Sequence, residues 1–78
     1  DYNKLIDNFI DFHRKKVKRE IARYQLDLDR YEQLYKMPTP DFYKRFKAGK
    51  VEDSEDFMLW AGIYEFQLDS KKKLQKLL

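Results

Sequence analysis

Apolar and polar residues alternate along this chain with a helical period from end to end. Between Tyr2 and Tyr35 there is no Gly or Pro, and an apolar side chain recurs every three or four positions, which predicts one helix over about 2–36. In the second part of that run Val17, Ile21, Tyr24, Leu28, Tyr31 and Tyr35 follow one another at strictly alternating spacings of four and three, the seam of an antiparallel helical hairpin or coiled coil. Leu34 adds width to that seam near the turn. The first part, Tyr2, Leu5, Ile6, Phe9, Ile10, Phe12 and His13, is also amphipathic, but on a rotated stripe that faces something different.

The stretch from Tyr35 to Glu65 holds two helix stops and two helix starts. Thr39 is placed to cap with its hydroxyl, Pro40 has no N–H to leave unpaired in a first turn, and Asp41 faces the positive helix end, so a short helix is expected over about 40–48. Phe42 and Phe46 lie one turn apart on one face, and Gly49 supplies a left-handed stop. Nine residues of helix are marginal alone in water. The two Phe rings must therefore dock between the flanking helices.

The acids from Glu52 to Asp56 then offer two caps, with Asp53 and Asp56 at capping-box spacing, for a third helix over about 54–77. Its main stripe, Phe57, Trp60, Ala61, Tyr64, Leu68, Leu74 and Leu78, is expected to face the first helix. Leu59, Ile63 and Phe66 fall on another side, leaving the first half of this helix apolar nearly all round. The expected fold is all-α: one domain over residues 1–78, a long antiparallel hairpin with a short helix at its bend, dimerising into a helical bundle.

Ten of these residues, Tyr35, Met37, Phe42, Phe46, Gly49, Asp53, Asp56, Phe57, Trp60 and Tyr64, carry a resemblance to a family of small helical prokaryotic proteins. Its pattern is close to Y-G-M-x4-F-x3-F-x2-G-x3-D-x2-D-F-x2-W, and its members look like antitoxins encoded beside a toxin-like partner. The match covers about the middle 30 of the 78 residues, with Lys36 where the family pattern has Gly. The resemblance implies a non-enzymatic role in binding and neutralising a protein partner, and it names no catalytic residue.

Composition narrows the remaining choices. A chain of 78 residues is one domain with a small core. At 40% charged and 42% hydrophobic with two Gly and two Pro, it suits long amphipathic helices and not a disordered tail. Without Cys there is no disulfide framework and no thiolate metal site. The longest apolar run, Phe57 to Tyr64, is far below the roughly 20 residues that cross a bilayer, and the N-terminus has no signal-peptide character. A cytoplasmic protein is expected, with no membrane partner; the missing initiator Met suggests a trimmed chain or a fragment.

Chemistry is sparse. Glu52, Asp53, Glu55 and Asp56 lack the order of a calcium loop and are better read as helix-start acids. His13 is the single histidine and has no second ligand beside it. Thr39 and Ser54 are explained as caps, Ser70 lies on a charged helix, and the two glycines stand thirteen apart, so neither an activated nucleophile nor a phosphate loop is present. No cofactor and no metal are called for. The apolar residues left over, Tyr2, Leu5, Ile6, Phe9, Ile10, Phe12, Leu59, Ile63 and Phe66, are the candidates for self-association, as a homodimer, or for binding a protein partner. The alternative is nucleic-acid binding. Arg14, Lys15, Lys16, Lys18 and Arg19 would share one end of an antiparallel hairpin with Lys71, Lys72, Lys73 and Lys76 and there meet phosphates, although the net charge of +3 is mild and the short helix is too aromatic for a recognition helix. Tyr24, Tyr31, Tyr35 and Tyr64 are read as packing residues and not as base-stacking ones.

Overall fold

A computed structural model covering residues 1–78 contains three helices and no strand: α1 Tyr2–Tyr35, α2 Thr39–Lys47 and α3 Glu55–Leu77. α1 and α3 run antiparallel. Tyr35 meets Asp56 near the bend, Gln67 meets Ile21 and Gln25 midway, and Arg14 meets the Leu77 carbonyl at the far end. The result is a rod of 56 × 21 × 17 Å whose 16.1 Å radius of gyration exceeds the about 12 Å of a compact chain of this length. Only nine residues are buried. The core is concentrated at the bend.

Each helix boundary has a local cause. α1 stops because Lys36 turns left-handed (φ 55°, ψ 44°), which lets the Lys36 and Met37 N–H groups both fold back onto the Glu32 carbonyl before Pro38 forbids further helix. α2 is closed by Gly49 at φ 71°, with the Lys50 N–H on the Arg45 carbonyl (2.9 Å) and the Gly49 N–H on that of Phe46 (3.1 Å). That pair of crossed bonds is a Schellman closure. α3 opens on Ser54, whose hydroxyl accepts the Phe57 N–H at 3.0 Å. The Asp53–Asp56 capping box is not used, because Asp56 instead accepts from the Tyr35 hydroxyl at 2.5 Å.

The start of α2 corrects the expected cap. Pro38 is the N-cap residue and contributes no side-chain bond. Thr39 is itself the first helical residue and is buried; its N–H donates to the Glu32 carboxylate at 2.6 Å, and its hydroxyl accepts the Trp60 indole N–H at 3.0 Å. The anion facing the positive end of α2 thus comes from α1 as well as from Asp41. The Thr39 hydroxyl serves the core.

That core is aromatic. Leu28, Tyr31, Phe42, Trp60 and Ala61 form its closed centre, ringed by Tyr35, Met37, Tyr43, Phe46, Val51, Phe57, Ile63 and Tyr64. Trp60 is fully buried, with Phe42 stacked on it at 3.7 Å and 3° and the rings of Tyr31 and Tyr35 5.6 and 5.7 Å away. Large flat side chains suit this bend because each closes a gap between helices that short aliphatic residues would leave open. Docking of the short helix by its two Phe is thereby observed, with Phe42 buried and Phe46 half-buried.

Away from the bend the α1 seam holds as read, from Val17 through Leu28 and Tyr31 to Tyr35, but its α3 counterpart differs. Gln67 and Ser70 are the buried residues there, while Leu68 is half-buried and Leu78 exposed. The Gln67 side-chain amide donates to the Ile21 carbonyl (3.2 Å) and to Gln25 Oε1 (2.9 Å), so this polar insertion is satisfied. Leu34 points outward instead of widening the seam.

Candidate protein-interaction surfaces

Residues Tyr2 to Phe12 continue α1 past the end of its partner helix. Leu77, the last residue of α3, already lies beside Arg14, and eleven of the first twelve residues are exposed. Tyr2, Leu5, Ile6, Phe9 and Phe12 are between 54% and 84% exposed on this arm, and Ile10 is half-buried. The arm is helical because α1 is one uninterrupted helix, started by the Asp1 carboxylate on the Asn3 N–H at 3.1 Å. Its apolar residues form two adjacent rows. Ile6, Ile10 and His13 make the row nearer the Val17–Tyr35 seam, although the steps from His13 to Val17 and from Val17 to Ile21 are both four and break its strict alternation. Leu5, Phe9 and Phe12 make the separate row beside it, with His13 edge-on to the Phe9 and Phe12 rings (4.4 and 5.8 Å).

The second set of unspent apolar residues divides. Ile63 is not spare: it is half-buried against the bend core. Leu59 and Phe66 are exposed, with Met58 beside Leu59 in a shallow recess that Asp53, Ser54 and Glu55 complete. The Phe66 ring stacks on Tyr24 at 6.2 Å, which sets this patch about 18 Å along α1 from Phe12. The arm and the α3 flank are therefore two surfaces, not one.

The two basic clusters do share an end. The contacts from Gln67 to Ile21 and from Arg14 to Leu77 bring residues 71–76 alongside residues 14–21. Every lysine of the two clusters is exposed. Arg14 is not free to reach outward: it pairs with Asp11 at 3.1 Å, donates to the Leu77 carbonyl at 2.9 Å, and its Nε is buried without a partner. Asp11 thus serves Arg14, three residues along the same helix. Lys16, Arg19, Glu20 and Arg23 line a shallow polar recess on α1. A further basic face that the charge runs did not flag comprises Lys44, Arg45 and Lys50 around the end of α2, with Lys47 over the Tyr43 ring at 5.8 Å.

The remaining polar geometry is structural. Tyr35 and Tyr43 donate to Asp56 and Glu65, at 2.5 and 2.7 Å, and those bonds, helped by partial desolvation and the carboxylate charge, raise both phenols above their ordinary 10.0. No three His, Cys, Asp or Glu side chains are grouped so as to hold a metal ion, and no helix is long and apolar enough to cross a membrane. No protein-family profile, curated protein or solved structure matches this chain.

Proposed function

We propose that this chain is a non-enzymatic protein-interaction module of antitoxin type, which works by presenting the Tyr2–Phe12 arm to a protein surface. The single observation behind this reading is that the apolar surface of α1 outlasts α3 by about ten residues. Burial of a large apolar side chain is worth about 1.5–3 kcal/mol, so covering the five exposed residues of the arm is a substantial driving force for association. Soluble proteins rarely leave such a patch open without a use. The neutralising role is what the resemblance carried by the Tyr35–Tyr64 residues implies, with Leu59 and Phe66 as a second contact surface. The test is co-expression with the protein encoded by the neighbouring gene. Co-purification that Phe9→Asp abolishes, with relief of any growth defect, is the expected result; a partner retained by that variant refutes the role of the arm.

A second reading has one specific observation in its favour, the convergence of the two basic clusters on one end of the rod. It makes the chain a nucleic-acid-binding accessory protein contacting phosphates through Lys15, Lys16, Lys18, Arg19, Lys71, Lys72 and Lys73. Such binding weakens steeply with salt, and replacing Lys71, Lys72 and Lys73 by Gln flattens that dependence. Undetectable binding to mixed DNA and RNA oligomers at low salt retires this reading.

A further inference from the structure

We infer that the occupant of the arm is the arm of a second copy of this chain, laid antiparallel on it. The inference rests on the reading of the arm as a binding surface and makes the pair of arms, not a single arm, the surface offered to another protein, so that Phe9→Asp removes both. Tyr2, Leu5, Phe9 and Phe12 recur at spacings of three, four and three, the pattern of a two-helix seam, and all four side chains are exposed. Set antiparallel with Leu5 opposite the second copy's Phe9, they form four layers, Tyr2 on Phe12, Leu5 on Phe9, and the two symmetry-related repeats. The same register places Asp1 beside the second copy's Lys15 at both ends, Asn8 beside Asn8 at the two-fold axis, and Ile6 beside Ile6 on the other flank. A surface that matches its own copy in this way is what an isologous interface requires.

Charge selects the direction. Asp1, Asp7 and Asp11 against Lys4 leave residues 1–13 at net −2, whereas residues 14–19 hold five cations and no acid, with four lysines at 71–76 beside them. Antiparallel pairing in this register brings Asp1 of each copy to the base of the other's arm and holds the two 14–19 clusters roughly 27 Å apart along the seam. Parallel pairing would instead set the two basic ends side by side. The overlap is about 20 Å long, short for an isolated coiled coil, but each arm continues a helix already nucleated by the hairpin, so the cost of starting a helix has been met before the copies meet.

Sedimentation equilibrium on the full chain at tens of micromolar tests this, with a dimeric mass expected. Phe9→Asp, which alters a residue outside the bend core, should raise the dissociation constant by about a hundredfold or more while circular dichroism and the buried Trp60 emission stay those of the folded hairpin. Because the chain has no cysteine, one introduced thiol reports the direction. Asn8→Cys should couple to itself through a short bis-maleimide, and Phe12→Cys, whose copy lies about 15 Å along the seam, should not; the reverse result overturns the antiparallel pairing. A monomeric mass at these concentrations overturns the second copy as occupant, and if Phe9→Asp then still abolishes capture of the neighbouring gene's product, the interaction reading stands without it. Should Phe9→Asp change neither mass nor capture, both fall.

Discussion

Replacing Thr39 by Val isolates one hydrogen bond in the centre of the molecule. Valine has nearly the shape of threonine and keeps the backbone N–H that donates to the Glu32 carboxylate, so the start of α2 is preserved. What is lost is the acceptor for the Trp60 indole N–H, now 3.0 Å from the Thr39 hydroxyl in a site where Trp60 is 0% and Thr39 2% exposed. No water can reach the orphaned donor, and an unsatisfied buried group costs about 1–3 kcal/mol. Against a total stability of roughly 4–12 kcal/mol for a chain of this length, that is a large share. At about 4–8 °C per kcal/mol for a domain of this size, a loss of about 2 kcal/mol lowers the melting temperature by about 8–16 °C. Thermal unfolding followed by circular dichroism measures it, with Thr39→Ser as the control that keeps the oxygen and loses only a methyl. A double-mutant cycle with Trp60→Phe should return a coupling of at least about 0.5 kcal/mol. If Thr39→Val is as stable as Thr39→Ser, the hydroxyl is not what holds the indole, and the reasoning fails.

Three other outcomes follow from the same geometry. Phe42→Ala removes a fully buried ring from the face of Trp60 and should cost about 3–5 kcal/mol, clearly more than Phe46→Ala, whose ring is half-buried; equal costs in denaturant melts would contradict the packing. Lys36→Gly should raise stability by about 1 kcal/mol, because Lys36 sits at φ 55° where a side chain is strained and glycine is not, and an unchanged denaturation midpoint would argue against a left-handed turn there. Tyr35 has its phenol pKa raised above 10.0 by the bond to Asp56, so the stability it contributes is complete below about pH 10 and disappears as pH rises through the folded-state value. Unfolding between neutral and strongly alkaline pH should therefore show a smaller stability drop in Tyr35→Phe than in the parent; identical drops would exclude the linkage.

Helix placement was legible because it depends on period and punctuation, both of which are local. The run without Gly or Pro from Tyr2 to Tyr35, the Pro38–Thr39–Pro40 break and the left-handed Gly49 leave few other places for the three helices to begin and end. What escaped was set by partners distant in sequence. Thr39 satisfied the local rule for a cap, but the Trp60 indole, twenty-one residues away, had no other acceptor, and the Glu32 carboxylate left the hydroxyl free for it. Gln67 and Ser70 are not legible in an apolar stripe, which takes in Leu68 beside Gln67 and omits polar residues that point inward. Of the candidate surfaces the arm was legible in the expected helix ranges, since a helix over about 2–36 outruns one over about 54–77, while Ile63 was not, since periodicity separates the faces of a helix without saying which neighbour covers each face.

The polar residues that escaped bear on the arm itself. A seam built only from apolar side chains would permit α3 to slide along α1 by a turn or a heptad at modest cost, and such a slide toward residue 2 would cover Ile10 and Ile6 within one chain. Gln67 opposes it. Displaced by a heptad toward the N-terminus, its amide would leave the Ile21 carbonyl and Gln25, becoming a buried group without partners, and the same movement would draw the Trp60 indole away from Thr39 and the Asp56 carboxylate away from Tyr35. Each of those losses is of the order of 1–3 kcal/mol, and they fall together because α3 moves as one rigid helix. Covering two isoleucines returns about 1.5–3 kcal/mol each, which does not offset three or four orphaned polar groups and a disrupted aromatic core. The register is thus held from the middle and from the bend, and with the register fixed the exposure of Tyr2 to Phe12 is a consequence of the fold and not of loose packing at its end.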